Sequence, residues 1–153
     1  MKRRVVLLLV LILCCVIGVH SFADDGSERE IGLILDSFEH GYLEEDLDLI
    51  ASLMSDNGYA MVMRRQVDPG TALVLGKAQI LQAIGRRFQQ VEYREHRHTE
   101  RQIRVDGHLA TSLSTIVDRM ADGTRRESTT YHIYAREADG WRVVFTSDVA
   151  PGR

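Results

Sequence analysis

The residues of this chain best suited to bind a ligand are one arginine and several hydroxyl side chains. Arg101 stands in a stretch of alternating polarity, and Ser112, Ser114 and Tyr131 follow it at strand-like spacing. A guanidinium and neighbouring hydroxyl groups together bind anions such as carboxylates. We therefore expect a ligand-binding cluster, whose further members are Ser147, Tyr42 and Tyr59.

Arg101 also has an interpretation that involves no ligand. An unpaired buried charge is costly, so buried arginines are usually paired within the protein. The internal partners offered by the sequence are Glu100, Glu127 and Asp118. Both interpretations stay open at the level of sequence.

Acid–base chemistry has only weak candidates. Asp118 and Tyr131 are the residues that would handle a proton, which requires a pocket carboxyl with a raised pKa. Asp46 and Asp48 are better explained as a helix cap and a solvent-exposed residue. No motif is specific enough to name a reaction, so the catalytic residues and the question of enzymatic activity stay open.

Three histidines have a spacing that suggests a metal site. His96 and His98 are two residues apart, which places both side chains on one face of a strand, and His132 falls on a neighbouring strand. A closed zinc site needs four well-placed ligands. The strand register given below turns all three outward, so we expect surface or interface histidines, no metal and no cofactor.

Three Asp-Gly pairs divide the last third of the chain into strands. Asp106-Gly107, Asp122-Gly123 and Asp139-Gly140 each separate two runs rich in β-branched and aromatic residues. Asp-Gly tolerates the positive φ angles that a tight hairpin requires. We therefore predict four consecutive antiparallel strands at residues 96–105, 108–120, 125–137 and 141–149.

The region before these strands has the apolar periodicity of helices. One long helix comes first, a shorter helix follows Asp46, and a third begins at Gly76. Between the second and third helices, residues 59–63 suit a short strand and residues 64–75 suit a loop. Helices followed by a meander predict an α+β domain, with N-terminal helices packed on one face of a mostly antiparallel sheet of four to five strands.

Strand alternation, continued through the turns, assigns the two faces of this sheet. We pair Arg101 with Ser112, Ser112 with Ile133 and Tyr131 with Ser147. A slip of one residue at a hairpin would invert the assignment for a strand. The face towards the helices carries the strand members of the ligand cluster with Ile103, Val105, Ala110, Ile116, Ile133, Ala135, Trp141, Val143 and Phe145. The outer face carries the three histidines with Leu109, Leu113, Val117, Tyr134 and Val144.

The N-terminal residues 1–23 resemble a signal peptide. The basic Lys2-Arg3-Arg4 precedes an apolar run that ends near Val19, and Ser21-Phe22-Ala23 supplies small residues for cleavage. The run is shorter than the about 20 apolar residues of a spanning helix; an uncleaved anchor is the alternative. We expect cleavage near Ala23, export to the periplasm or the medium, and one domain over residues 24–153 without membrane attachment.

Cleavage would change the charge and the cysteine content of the chain. It leaves 16 Lys and Arg against 22 Asp and Glu, a net charge of −6, and removes both cysteines. An acidic surface argues against nucleic acid as a partner. Without a thiol, the domain has no disulfide and no cysteine nucleophile.

Four short phrases, in this order, resemble the nuclear transport factor two-like superfamily and, within it, the SnoaL-like and ketosteroid-isomerase-like domains. The resemblance implies a cone-shaped domain whose helices and curved sheet enclose a pocket. Many relatives have a histidine six residues after the tryptophan, where this chain has Ser147. The phrases are Tyr42 to Ser55, which includes Asp46-Leu47-Asp48-Leu49-Ile50-Ala51-Ser52-Leu53, then Gly76-Lys77-Ala78-Gln79-Ile80, Val105-Asp106-Gly107-His108-Leu109-Ala110 and Asp139-Gly140-Trp141-Arg142-Val143-Val144.

Three functions fit these observations. The first is an exported domain that binds a small, anionic organic ligand through Arg101. The second is an isomerase, dehydratase or hydrolase that acts on a small organic acid or ketone. The third is an interaction module whose outer sheet face binds a partner. Relatives commonly form dimers through this face, so the resemblance implies a homodimer.

Overall fold

The described part of the chain, residues 25–63 and 72–149 of a computed structural model, contains three helices and six strands. The predicted signal peptide lies outside it. No helix in these two ranges combines the length and the apolar character needed to cross a membrane. In chain order the elements are α1 (Asp25–Leu43), α2 (Leu47–Leu53), β1 (Met54–Met63), β2 (Ala72–Gly76), α3 (Lys77–Phe88), β3 (Tyr93–Asp106), β4 (Leu109–Met120), β5 (Arg125–Glu137) and β6 (Gly140–Val149).

The strands form one sheet in the order β2-β1-β6-β5-β4-β3. All neighbours are antiparallel except β1 and β6, which are parallel. The predicted α+β class and the four-strand meander are confirmed. The prediction of a loop over residues 64–75 is wrong at its end, because Ala72–Gly76 pairs with β1 as an edge strand.

Local chemistry explains where the shorter helices begin. The Asp46 side chain accepts a hydrogen bond from the backbone N–H of Leu49 at 2.9 Å, which satisfies one of the free amides of α2. At the start of α3 the backbone N–H of Gly76 donates to Gln79 Oε1 at 3.0 Å. These contacts define the first turns of both helices.

The core lies between the helices and one face of the sheet. Ile31 of α1 and Ile50 of α2 are fully buried, and each contributes roughly 1.5–3 kcal/mol through apolar burial. From the sheet side, Tyr134, Trp141 and Val143 complete this core. The helices therefore cover the inner face and leave the outer face uncovered.

A β-bulge in β3 decides which side chains face the helices. Thr99 pairs with Thr115 and Gln102 with Leu113, so Glu100 and Arg101 together oppose one residue of β4. Glu100 has a φ of 52°, a left-handed conformation that the bulge imposes. The extra residue shifts the alternation of side chains by one position, so that, from residue 96 onwards, even-numbered residues face the helices before the bulge and odd-numbered residues face them after it.

The bulge makes the prediction of outward-facing histidines wrong for β3. His98 and Ile103 are five residues apart and would lie on opposite faces of a regular strand. Instead, both face the helices, and His96 faces the same way as His98. The sequence contains no proline or glycine at this point that would have marked the irregularity.

A register difference of one residue between β4 and β5 inverts the faces of β5. Ser112 pairs with His132 rather than with Ile133, and Ala110 pairs with Tyr134. His132 and Tyr134 are therefore buried against the helices, while Tyr131, Ile133 and Ala135 lie on the outer face. The predictions of an inward Tyr131 and an outward Tyr134 are wrong for this reason.

The pairing of β5 with β6 is partly as predicted. Tyr131 pairs with Ser147 and Ile133 with Phe145, as expected, but a second bulge then shifts the register, so that Tyr134 pairs with Val143. Val143 and Trp141 consequently lie in the core, as predicted. Phe145 and Ser147 follow Tyr131 to the outer face, which corrects their predicted inward placement.

Candidate functional site

A cavity of about 610 Å³ lies between α1, α3 and the inner face of the sheet. This volume falls in the range of about 300–1,000 Å³ that is typical of small-molecule sites. Its wall combines apolar side chains, among them Phe38, Ile80 and Ile84, with polar groups from three strands and the end of α3. The polar groups are His96, His98, Thr130, His132, Thr146, Arg86, Arg87 and Gln90.

His96 forms the closest acid–base contact in this wall. Its Nδ1 lies 2.6 Å from Oδ1 of Asp118, the residue that faces it across the β3–β4 ladder. The imidazole also stacks on the ring of Tyr42, with 4.1 Å between the ring centroids and 12° between the planes. Both contacts fix the orientation of the ring, and Asp118 engages one of its two nitrogens, Nδ1.

His98 is held as a neutral ring. Its Nδ1 and Ser114 Oγ share a hydrogen bond of 2.8 Å, and its backbone N–H donates to Glu39 Oε1 at 2.6 Å. Burial, followed by repulsion from His132, lowers the pKa of His98 to about 2. This side chain therefore supplies hydrogen bonds rather than charge at neutral pH.

His132 is the third histidine of the row. Its ring centroid lies 5.8 Å from that of His98 and 5.9 Å from that of Phe38, on which it stacks. Burial lowers its pKa to about 4. Within residues 25–63 and 72–149 no group forms a hydrogen bond with either of its ring nitrogens.

One end of the wall is cationic. The Nε of Arg87 donates to the hydroxyl of Tyr93, and its guanidinium carbon lies 5.5 Å from the centroid of that ring. Arg86, one residue earlier, bonds through Nη2 to Gln82 Oε1 at 3.1 Å. The Tyr93 ring contacts His96 edge-on, so the arginine end and the histidine row are adjacent.

The predicted anion-binding residue does not line this cavity. Arg101 donates through Nη1 to Asp36 Oδ1 and through Nη2 to Glu39 Oε1, each at 2.6 Å, and through Nε to the carbonyl of His98. Its guanidinium is thus bound by two carboxylates of α1. Internal pairing was one of the two interpretations, but both partners differ from the three acidic residues that the sequence offered.

The other predicted residues fall into three groups. Tyr42 lines the cavity and stacks on His96, and Asp118 supports the wall through its contact with the same ring. Ser114 bonds to His98, while Ser112 shares a 2.9 Å hydrogen bond with Tyr134 in the core. Tyr131 and Ser147 lie on the outer face, and the side chain of Tyr59 lies outside the described residues.

The histidine row is the part of the site that the sequence interpretation missed. The spacing of His96 and His98 was noticed, and His132 was placed on a neighbouring strand, but the register turned all three outward. Within the described ranges no group of three or more histidine, cysteine or acidic side chains is arranged to hold a metal ion. The contacts of the row are the hydrogen bond of His98 to Ser114 and the acid–base contact of His96 with Asp118.

An α+β cone that encloses a partly polar cavity defines the class of domain, and comparison with solved structures identifies the fold. A nuclear transport factor two-like (NTF2-like) protein with a cystatin-like fold from Novosphingobium aromaticivorans has a TM-score of 0.66 and 20% identity, covering 81% of each chain. An NTF2-like protein of unknown function from Pseudomonas putida has a TM-score of 0.69 and 15% identity, covering 82% of this chain and 87% of that one.

A third structure is described as a proposed dehydratase of the NTF2-like family from Streptomyces avermitilis. It has a TM-score of 0.64 and 19% identity and covers 84% of this chain and 99% of that one. This chain therefore has the NTF2-like fold, as the sequence resemblance predicted. No family model matches the sequence, and no curated protein matches it.

Proposed function

We propose that this domain binds a small, largely apolar organic molecule in the cavity and transfers a proton on it through His96. The observation that carries the proposal is the 2.6 Å contact between His96 Nδ1 and Asp118 in the cavity wall. A carboxylate in this position holds the imidazole in the tautomer whose Nε2 carries a lone pair, and stabilises the ring after it has taken a proton.

The reaction class follows from what surrounds His96. Proton removal next to a carbonyl group creates negative charge on oxygen, which a cationic or hydrogen-bonding group in the wall stabilises. Arg87 lines the cavity next to the Tyr93 ring, which contacts His96, and its guanidinium would supply this stabilisation. Isomerisation and dehydration both need these two functions, and one structural neighbour is described as a proposed dehydratase.

An anionic group on the ligand would contact Arg86 and Arg87 rather than Arg101. The two arginines line the cavity at the end of α3. Arg101 is already engaged by Asp36 and Glu39. The proposed substrates therefore stay small organic acids and ketones, as the sequence suggested. Arg86 and Arg87 take the place of Arg101 as the residues that would bind the anionic group.

The test combines ligand binding with proton exchange. A panel of cyclic ketones and hydroxy acids is screened against residues 24–153 by ligand-observed NMR, and bound members are followed in D2O for deuterium incorporation beside the carbonyl. We expect His96→Gln to lower the exchange rate by about 100-fold or more while binding persists. Asp118→Asn should lower it less, because the base itself remains.

Two results would contradict this proposal in different ways. If panel members bind but exchange at the same rate with the wild type and His96→Gln, His96 is not the base and only the ligand-binding part of the proposal stands. If no member binds, the ligand-binding proposal itself fails. Arg104→Gln, on the exposed outer side of β3, serves as the matched control and should change neither measurement.

We also propose that two copies pair through the outer sheet face. Leu109 and Leu113 are 55% and 39% exposed on this face, and the partly buried Tyr131, Ile133 and Phe145 flank them. Exposed apolar groups on one surface favour association. Sedimentation velocity should show a dimer for residues 24–153 and a monomer for Leu113→Glu; a monomeric wild type would contradict pairing.

Export is proposed on the sequence of residues 1–23 alone. The full chain expressed in a bacterial host should appear in the periplasm or the medium with Asp24 as its first residue, as mass spectrometry would measure. An intact N-terminus in the membrane fraction would instead support the uncleaved anchor.

A further inference from the structure

The His132 side chain is an exception among the polar groups of the inner face. His96 bonds to Asp118, His98 to Ser114, and Ser112 to Tyr134. His132 is only 6% exposed, yet no group of the described chain bonds to its Nδ1 or its Nε2. Buried polar atoms without a partner are rare in folded proteins, so such a pair of atoms calls for a physical explanation.

The surroundings of His132 fix its position. It lies on the central strand β5, stacks on Phe38, and has the rings of His98 and Tyr134 within 6 Å of its own, at 5.8 and 5.9 Å. The backbone of β5 is paired on both sides, so the strand holds this side chain on the inner face of the sheet. There the ring forms part of the cavity wall.

The ring offers a specific combination of groups to that cavity. A neutral imidazole has one N–H donor and one acceptor nitrogen. Burial keeps His132 neutral at physiological pH, so it presents no charge. The nitrogen of Trp141 is also unpartnered within the described residues, but Trp141 does not line the cavity and offers nothing to a ligand there.

We propose that His132 is a ligand-binding residue that recognises an uncharged hydroxyl or carbonyl oxygen on an otherwise apolar ring. The apolar wall formed by Phe38, Ile116 and Val143 suits the ring, and the imidazole suits its oxygen. The inference rests on the proposed function, because it assumes that the cavity takes a small organic molecule. It adds the substrate class: a ring alcohol, phenol or ring ketone.

The experiment compares two probes that differ in one group. β-Naphthol and β-methylnaphthalene have the same ring system, and only the first carries a hydroxyl. Dissociation constants are measured by fluorescence titration of residues 24–153 and its variants. We expect the wild type to bind β-naphthol about tenfold more tightly than β-methylnaphthalene, as one hydrogen bond to a buried group implies.

His132→Phe should abolish this preference without weakening β-methylnaphthalene binding. His132→Gln, which keeps one donor and one acceptor, should retain part of it. The melting temperature of His132→Phe should be equal to or above that of the wild type, because the change removes unpaired polar atoms from an aromatic environment. Tyr131→Phe, on the outer face of the same strand, is the control and should change neither constant.

The results distinguish the role of His132 from the more general proposal that the cavity binds a small organic molecule. The role of His132 is overturned if His132→Phe still prefers β-naphthol, or if the wild type binds both probes equally. In either case the proposal that the cavity binds organic rings remains, without a role for His132. Failure of the wild type to bind either probe removes the cavity as a site for such rings, and with it this inference. If His132→Phe is unstable, the preference retained or lost by His132→Gln decides.

Discussion

The two faces of the sheet differ in a way that reverses the usual expectation for polarity. The inner face buries three histidines and several hydroxyl groups, whereas the outer face exposes Leu109 and Leu113. A simple core would have the opposite pattern, with alternating apolar residues inside and polar ones outside. The difference indicates that the inner face is built around a partly polar cavity, and the exposed leucines are the basis for the proposed pairing through the outer face.

The polar inner face is stable because nearly every group on it has a partner. Hydrogen bonds join His98 to Ser114 and Ser112 to Tyr134, and an acid–base contact joins His96 to Asp118. Each such bond contributes about 0.5–1.5 kcal/mol net, and the cost of leaving a group unpaired is larger. Pairing is therefore a condition for placing these side chains inside, and the register of β3, β4 and β5 provides it.

The largest effect should come from deleting Glu100, which belongs to the bulge that sets the inner face of β3. Deletion of Glu100 would eliminate the bulge and turn either His96 and His98 or Ile103 and Val105 outward. Turning the histidines outward breaks the hydrogen bond between His98 and Ser114, whereas turning Ile103 and Val105 outward removes their packing against the core. We expect a chain that does not fold cooperatively, as circular dichroism and thermal denaturation would measure.

Glu100→Gly is the matched control for this deletion. It keeps the extra residue and suits the φ of 52° better than glutamate does, at the loss of one exposed hydrogen bond from Thr115. Its free energy of unfolding should stay within about 1 kcal/mol of the wild type. A deletion variant as stable as this control would show that the bulge does not set the faces of β3.

The sequence was sufficient for the fold because the signals of the fold are local. Asp-Gly pairs mark the hairpins, and glycines 107, 123 and 140 have φ of 60°, 85° and 129°. Asp46 caps α2 through a contact three residues away. Apolar spacing placed the helices before the sheet. None of these signals depends on pairing between distant strands.

The faces of the strands could not be predicted in the same way. A bulge or a register difference of one residue inverts a strand, and its cause is the packing of many distant side chains. His132 and Tyr134 therefore appeared on the wrong face, although their residue types were noticed. The partners of Arg101 lie on α1, more than sixty positions earlier in the chain, where strand alternation gives no information.

A smaller effect should appear in the pH dependence of the free energy of unfolding, because the inner face buries His132 as a neutral ring. Burial lowers the pKa of His132 to about 4 from its ordinary value of 6.5, so the unfolded chain takes up a proton first as the pH falls. The stability linked to this neutral ring is complete above pH 6.5 and is lost progressively down to about pH 4. The wild type should lose about 3 kcal/mol more than His132→Phe in this interval.

Urea denaturation at several pH values measures this difference directly. His98 is present in both proteins, and burial, the main cause of its lowered pKa, is common to both, so most of its effect cancels in the comparison. Exposed carboxylates cancel for the same reason. Parallel stability curves for the two proteins would mean that His132 is accessible to protons in the folded state and that the inner face is wet at this point.

The smallest effect compares two tyrosines three residues apart on β5. Tyr134 is fully buried and shares a 2.9 Å hydrogen bond with Ser112, while Tyr131 lies on the outer face. Tyr134→Phe leaves the hydroxyl of Ser112 without this partner and should lower the free energy of unfolding by about 1 kcal/mol. Tyr131→Phe should change it by less than about 0.5 kcal/mol. Urea denaturation of both variants would show the reverse order if β5 had the register predicted from the sequence, so this pair tests the face assignment on which the histidine row depends.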